Sequence, residues 1–223
     1  MGGAGEQGAV GQPERVAAML PLLRRWQAQR LARTYADLAA DKRYAPAAAF
    51  FLSDIYGERD FSERDRALER AYPLIRRTLP KAALAPIERA MTLHALSLRL
   101  DTTLAGVLVG ELGVKDRIGE SAYAQGYRLC DNRPQRLQQI ELTVAVGTDL
   151  DRVVAKPLVR RMLALARKPA RVAGFGELQD FLERGFDAFR HMGGAAEFLK
   201  IIETREKLIL ERLFAGQPRP FDL

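Results

Sequence analysis

The chain has 223 residues, with 35 basic and 28 acidic side chains, two histidines and one cysteine, and 48% of its residues are hydrophobic. This composition excludes a fully disordered chain, and the length suits one large helical domain or two small ones. One cysteine excludes an internal disulfide, and one cysteine with two histidines excludes a zinc finger. No apolar run reaches about 18 residues and no secretory signal pattern occurs, so we expect no membrane span and a cytoplasmic location.

Helical periodicity runs through almost the whole chain, and no segment alternates between apolar and polar residues in the manner of a strand. We therefore predict an all-α fold, a single-domain bundle of about eight to ten helices. Residues 1–12 are predicted to form a disordered tail, residues 13–215 the helical domain, and residues 216–223 a loose C-terminal tail.

Prolines, glycines and capping residues set the predicted helix ends. Pro80 and Pro86 are interpreted as the borders of a linker, and Gly147 as the end of a helix. A loop is predicted over residues 168–176, where Lys-Pro begins the segment. The predicted helices in chain order are 13–40, 47–56, 63–78, 86–112, 119–130, 133–146, a short helix between 148 and 156, 157–167, 177–192 and 195–214.

The predicted helix 86–112 is apolar on two sides, which is typical of a helix at the centre of a bundle. At 1.5 Å per residue it spans about 40 Å, enough to form the axis of the bundle. Its main seam has alternating spacings of four and three and consists of Ile87, Met91, His94, Leu98, Asp101, Ala105, Leu108 and Leu112. Its second apolar stripe consists of Leu93, Leu96, Leu100, Leu104 and Val107.

Two polar residues, His94 and Asp101, interrupt the main seam. Because burying a polar group without a partner costs several kcal/mol, each of them requires a polar partner. One interpretation is a ligand pocket inside the bundle, lined by these two side chains and by groups from neighbouring helices such as Tyr123 and Tyr127. The alternative is that both are structural polar residues, bound to backbone groups or to arginines.

Arg205, on the last predicted helix, is a further candidate for this pocket. Its neighbours at helical spacing are all apolar, namely Ile201, Ile202, Leu208 and Ile209. The guanidinium group therefore leaves an apolar stripe and requires an acid across an interface. We expect either an ion pair, with Asp101 or a carboxylate from the first half of the chain, or an anion-binding arginine in the pocket.

Positive charge is concentrated in residues 152–171, and no acid occurs from residue 152 to residue 176. The seven basic residues of this segment are Arg152, Lys156, Arg160, Arg161, Arg167, Lys168 and Arg171. The net charge of the whole chain, +7, equals the charge of these seven side chains, so the remainder is neutral. Such a segment suits an acidic protein, another anionic ligand, anionic lipid or a nucleic-acid backbone. It contains no aromatic residue for stacking on bases, and the alternative is a solvated helix face that binds nothing.

The most distinctive segment, residues 50–61, contains two adjacent phenylalanines, an Ile-Tyr-Gly step and an Asp-Phe pair. Together with Arg64-Asp65 and the later Gly185-Phe186 pair, it resembles an uncharacterised all-helical family of proteobacterial proteins. The resemblance covers about residues 45–212. It implies an all-helical fold and a bacterial source, and it implies no activity, cofactor or catalytic residue.

No motif of a nucleophile elbow, a Walker A loop, a Cys-x-x-Cys pair, a His-Glu-x-x-His zinc site or a Glu-x-x-His di-iron site occurs. No catalytic residue, metal ligand or cofactor is therefore assigned. The leading hypothesis is a non-enzymatic protein that binds a partner or ligand through the basic segment or the internal pocket. The alternatives are an enzyme or a small-ligand carrier with a pocket inside the bundle, and sequence-independent binding of nucleic acid. The number of apolar helix faces also makes a homodimer an expectation.

Overall fold

The structure, a computed structural model, describes residues 11–55, 62–78 and 81–223. These residues form ten α-helices and no strand, which confirms the predicted all-α bundle. The helices are α1 (Gln12–Thr34), α2 (Ala36–Ala40), α3 (Ala45–Phe50), α4 (Ser62–Thr78), α5 (Lys81–Gly110), α6 (Glu120–Leu129), α7 (Arg133–Val154), α8 (Pro157–Val172), α9 (Gly176–Met192) and α10 (Ala196–Phe214). A π-helical segment, Phe51–Ile55, directly follows α3. Within the described ranges, no helix is both long enough and apolar enough to cross a membrane.

The centre of the bundle is formed by α5 and α7. The predicted central helix corresponds to α5, which packs against α1, α6 and α7, while α7 also packs against α9 and α10. Side chains from α1, α5, α6 and α10 meet in the largest buried cluster, which includes Met19, Leu23, Leu104, Leu108, Leu210 and Leu213. Burial of this apolar surface is the main force that holds the helices together.

A second buried cluster joins α3, α9 and α10. The Phe51 ring lies 6.1 Å from that of Phe189 and 6.0 Å from that of Phe198, measured between ring centroids. The first part of the distinctive aromatic segment therefore fixes the end of α3 in the core. The rest of that segment, residues 56–61, lies outside the described residues.

The predicted helix end at Gly147 is wrong, because α7 runs through this residue to Val154. A Cβ atom at Gly147 would lie only 2.5 Å from Leu199 Cδ2 of α10. The glycine therefore permits two helices to approach closely and does not end either of them. Gly185 plays the same part in α9, where a Cβ atom would lie 2.8 Å from Phe50 Cζ.

The predicted linker at residues 80–86 and the predicted loop at residues 168–176 are also wrong in part. Helix α5 begins at Lys81 and includes Pro86, and α8 continues through Pro169 to Val172. Each proline costs its helix one backbone hydrogen bond. At Pro86 the loss falls in an early turn that is rich in alanine, a strong helix former. At Pro169 the carbonyl that loses its helical donor belongs to Leu165, a residue that is 78% exposed.

The predicted tails are residues 1–12 and residues 216–223. The predicted disordered tail, 1–12, lies outside the described residues up to residue 10, and Gln12 is the first residue of α1. Near the other end, within the predicted loose tail 216–223, the Phe221 ring packs against Trp26 with 5.5 Å between ring centroids. This apolar side chain folds the end of the chain back onto the bundle.

Candidate functional site

A cavity of about 120 Å³ lies inside the bundle, between α1, α5, α7 and α10. Its polar lining includes Gln27, Asp101, Tyr123, Tyr127, Arg136 and Gln139. Its apolar lining includes Leu31, Phe198, Ile202, Leu210 and Leu213. Three of the predicted pocket residues, on α5 and α6, therefore share one cavity, and His94 and Arg205 are not among its lining residues.

Asp101 is held in the cavity wall by a side chain of α1. Gln27 Nε2 donates a hydrogen bond to Asp101 Oδ1 at 3.0 Å. Burial raises the pKa of Asp101, while the Gln27 hydrogen bond and the positive charges of Arg136 and Arg24 act in the opposite direction. Because the pKa is raised overall, this carboxyl group takes up a proton more readily than an aspartate in water.

Two tyrosines of α6 form an aromatic part of the cavity wall. The Tyr123 ring stacks on Trp26, with 3.8 Å between ring centroids. The Arg136 guanidinium carbon lies 4.4 Å from the centroid of the Tyr127 ring. Burial raises the pKa of both tyrosines. They therefore offer ring faces and neutral hydroxyl groups, and they are poor candidates for a catalytic base.

Arg136 of α7 is a buried cation in this wall, with 3% of its surface exposed. Its Nη1 donates to Gln139 Oε1 and its Nη2 to the Leu100 carbonyl oxygen, both at 3.3 Å. Its Nε has no partner, and no carboxylate of the described residues lies within 4.0 Å of the guanidinium nitrogens. The prediction from sequence missed Arg136. The steps from Arg136 to Ile140, Thr143 and Gly147 are four, three and four residues, a spacing that is typical of a buried helix face.

Arg30 of α1 is the second buried cation at the cavity, and it has a counterion. Its Nη1 lies 2.5 Å from Glu206 Oε1 of α10, and the Tyr35 hydroxyl donates to the same oxygen at 2.8 Å. The side chains of Arg30 and Glu206 are 11% and 19% exposed. Glu206 therefore forms its ion pair with Arg30, and Arg136 has no such ion pair with a described residue.

His94 is exposed, so its predicted place in an internal pocket is wrong. The face of α5 that is buried there is the second apolar stripe, since Leu96 and Leu100 are 4% and 3% exposed. A seam of alternating four and three spacings drifts by about 20° per heptad around a straight α-helix. The main seam is buried at Ala105 and Leu108, and the drift carries its earlier residues, His94 and Leu98, away from the core.

Arg205 lies outside the cavity and ties α10 to α1 and α2. Its Nη1 and Nη2 form a two-pronged ion pair with the Asp37 carboxylate, at 2.7 and 2.6 Å. Its Nη1 also donates to the Thr34 carbonyl oxygen at 2.9 Å, at the end of α1. The Arg205 hydrogen bond lowers the pKa of Asp37 to about 2. Of the predicted alternatives, the arrangement is an ion pair with a carboxylate from the first half of the chain.

The seven basic residues of the segment 152–171 fall into two groups. Three of them have a neighbouring acid, since Arg152 pairs with Asp149 at 3.5 Å, Arg167 with Glu183 at 2.7 Å, and Arg171 with Asp180 at 3.3 Å. The other four are exposed and form no ion pair or side-chain hydrogen bond with any described residue. We call these four the unpaired cations: Lys156, Arg160, Arg161 and Lys168.

The same helix, α8, also exposes apolar side chains. It contacts the bundle through partly buried residues such as Val159 and Leu163. Its outward face carries what we call the apolar stripe: Leu158, 66% exposed, Met162, 51%, Leu165, 78%, and Val172, 90%. Four large apolar side chains on one helix, all at least half exposed, form a surface that folding leaves in water.

A groove of about 440 Å³ lies between the start of α8 and α9. Its charged lining residues are Arg160, Arg161 and Arg190, and Phe186 and Val154 are part of its apolar lining. All charges of the groove are therefore positive. Two of the unpaired cations thus belong to a concave surface that attracts anions.

Among the described residues, no group of three or more His, Cys, Asp or Glu side chains could hold a metal ion. The protein is therefore all-helical, with an internal polar cavity and with one exposed, basic, amphipathic helix, α8. A family model described as "Domain of unknown function (DUF8198)" matches residues 8–220, and the chain belongs to this family. This confirms the predicted resemblance at the level of an uncharacterised domain family. No curated protein and no solved structure matches the chain.

Proposed function

We propose that the protein is a non-enzymatic interaction protein that binds an acidic amphipathic helix of a partner protein on the outward face of α8. The observation that carries this proposal is the apolar stripe, 51–90% exposed, on the same helix as three of the unpaired cations, with the fourth, Lys156, directly before the helix. Folding covers Val159 and Leu163 of α8 and leaves the apolar stripe exposed. Covering the apolar stripe with a partner helix would remove its apolar side chains from water, which favours association.

The spacing of the apolar stripe matches that of a helix in a coiled coil. Its residues are separated by alternating steps of four and three, with Pro169 at the remaining seam position. Arg161 and Lys168 are seven residues apart and flank this seam at heptad position g. Position g forms interhelical ion pairs in coiled coils, so acidic residues along the edge of the partner helix would complement these two cations.

The apolar stripe and the positive charge of α8 disfavour nucleic acid and a second copy of this chain as partners. A nucleic-acid backbone would pair with the unpaired cations but would leave the apolar stripe in water, and α8 has no aromatic residue for stacking on bases. A second copy of α8 would bring cations against cations, because no acid occurs from residue 152 to residue 176. The charge of the segment therefore favours an acidic partner over self-association through this face.

Three probes distinguish the classes of partner: a synthetic three-heptad peptide with Leu at positions a and d and Glu at e and g, vesicles containing phosphatidylserine, and a single-stranded oligonucleotide. The variant Arg161→Glu/Lys168→Glu reverses the charge at the flank of the apolar stripe. We expect the protein to bind the peptide, and the variant to bind it at least about tenfold more weakly because attraction becomes repulsion. Titrations at low and high salt measure the electrostatic part of the affinity.

The matched control is Lys115→Glu/Arg117→Glu, which makes the same change of net charge at two exposed residues in the loop between α5 and α6. This control should bind the peptide like the unmodified protein. Equal loss of binding in both variants would mean that only net charge matters, and it would contradict a docking surface on α8. Binding of vesicles or oligonucleotide in place of the peptide would also contradict the proposal and would replace the partner helix by that ligand.

A further inference from the structure

Arg136 is a buried cation with no acid of the described residues at contact distance. It is 3% exposed, and its hydrogen bonds to the described residues go to a neutral amide and a backbone carbonyl, both at 3.3 Å. Removing a charge from water without a counterion costs several kcal/mol, so buried charges in proteins are nearly always paired. A buried arginine of this kind therefore requires a negative group that the described residues do not supply at contact distance.

The two buried arginines of the cavity wall show the difference directly. Arg30 contacts a carboxylate, Glu206, and that carboxylate also accepts a hydrogen bond from a tyrosine. Arg136 contacts no carboxylate of the described residues, and this is where the two differ, because the Nε atoms of both arginines are buried without an acceptor. An arginine has five N–H donors in a planar fork that matches two oxygens of one carboxylate. In Arg136 this fork faces a neutral amide and a backbone carbonyl.

The cavity beside Arg136 has room for such an anion. Its volume of about 120 Å³ is enough for a small organic molecule of about ten non-hydrogen atoms. Much of the lining is apolar, with Ile202, Leu210 and Leu213 among it, and Tyr123 and Tyr127 add ring faces. A ligand that fits this lining has an apolar body as well as a charged group.

We propose that the cavity binds a small organic acid with one carboxylate and an apolar, ring-sized body, and that the carboxylate pairs with Arg136. The carboxylate would balance the charge that the protein leaves unpaired, and the body would lie against the tyrosine rings and the leucines of α10. The site is separate from α8, and none of the unpaired cations lines it.

Asp101 explains why one carboxylate fits better than two. It lines the same cavity and its hydrogen bond comes from Gln27, on the α1 side. Its charge acts on Arg136 from beyond contact distance, and burial favours its neutral form. Arg30 is balanced by Glu206 at contact distance, whereas Arg136 has no carboxylate of the described residues at contact distance. One carboxylate would fill that position, and a second would meet Asp101.

A series of three probes of equal size tests the charge requirement in the unmodified protein: benzoate, neutral benzamide and cationic benzamidine. Isothermal titration calorimetry measures each affinity. We expect a Kd for benzoate of about 1 mM or tighter and at least about tenfold weaker binding of benzamide, because only the carboxylate forms a charge-assisted pair with a guanidinium group. Equal binding of benzoate and benzamide, preference for benzamidine, or no binding of benzoate would each overturn the proposal.

Two variants locate the site. Arg136→Met, with its fold checked by circular dichroism, should lose the preference for benzoate over benzamide. Asp101→Asn keeps an acceptor for Gln27 and removes a competing negative charge, so it should bind benzoate as tightly as the unmodified protein or up to about tenfold more tightly. Weaker binding of benzoate by Asp101→Asn would overturn the proposal, and this result stands whether or not Arg136→Met folds.

Two controls separate this site from the rest of the molecule. Arg99→Met makes the same substitution at an exposed residue of α5, and it should leave the affinity for benzoate unchanged. The α8 variant Arg161→Glu/Lys168→Glu should also bind benzoate normally. Loss of benzoate binding in either control would show that the anion binds a surface cation and would overturn an internal site.

Discussion

Helices α8 and α10 are of similar length and both carry many charges and apolar side chains, but the protein uses them differently. In α10 the apolar face is covered, with Phe198, Leu210 and Leu213 each 2% exposed. Two of its charges are matched across the fold, because Glu206 pairs with Arg30 and Arg205 with Asp37. In α8 no residue is fully buried, the apolar stripe is in water, and three cations form no ion pair with any described residue.

The difference separates residues that stabilise the fold from residues available to a partner. An amphipathic helix gains stability when its apolar face is covered, and in α10 the protein itself provides the cover. In α8 the protein covers only the side that carries Val159 and Leu163. Substitutions on the outward side of α8 should therefore change binding and leave stability unchanged, whereas substitutions in α10 should do the reverse.

The largest expected effect is a loss of stability in α10 that α8 does not share. Leu210→Ala removes a side chain from the main core cluster and should lower the free energy of unfolding by about 2–5 kcal/mol. Leu165→Ala makes the same substitution at a residue that is 78% exposed, and it should change the free energy of unfolding by no more than about 0.5 kcal/mol. Urea denaturation of both variants measures the difference. A similar loss in Leu165→Ala would mean that the apolar stripe is already covered in solution.

A smaller effect distinguishes the charges of the two helices. The pKa of Asp37 in the folded protein, about 2, lies below its ordinary value of 3.8 because of Arg205. The ion pair therefore stabilises the fold above the ordinary pKa, and this contribution is lost as the pH falls from 3.8 towards 2. The Asp37 side chain is 58% exposed, so water screens the pair and its contribution is about 1 kcal/mol or less.

Urea denaturation of Asp37→Asn across this pH range tests that contribution. The variant should be slightly less stable than the unmodified protein at neutral pH and equally stable near pH 2. Lys168→Gln, which removes an unpaired cation from α8, should leave stability unchanged at every pH. A pH-dependent loss in Lys168→Gln would show that this lysine has a carboxylate partner and would contradict the contrast between the helices.

The sequence predicts most of the helices, because apolar periodicity reports which face of a helix is covered. The predicted ends of α9 and α10 lie within a residue of the observed ones. The errors fall where a glycine or proline has a tertiary role. Gly147 reads as a helix end, and only the position of Leu199, 52 residues further along the chain, shows that the glycine is needed for helix packing.

The candidate sites were predictable to different degrees. The basic segment is visible as local charge, but its division into paired and unpaired cations depends on acids of α9 such as Glu183 and Asp180, whose contacts the sequence does not reveal. Asp101 interrupts an apolar seam and is therefore conspicuous in the sequence, whereas Arg136 is one of 35 basic residues and only its spacing to Ile140, Thr143 and Gly147 indicates burial. Its importance comes from the absence of a neighbouring acid, which is a property of the packed structure.

The most direct test of the account is binding of the acidic three-heptad peptide to the variant Leu158→Gln/Leu165→Gln. These two residues are 66% and 78% exposed, so the variant should unfold at the same urea concentration as the unmodified protein. The account predicts that its affinity for the peptide falls at least about tenfold, because two leucines no longer leave water on binding. Unchanged affinity would contradict the central claim that the outward face of α8 is a docking surface for a partner helix.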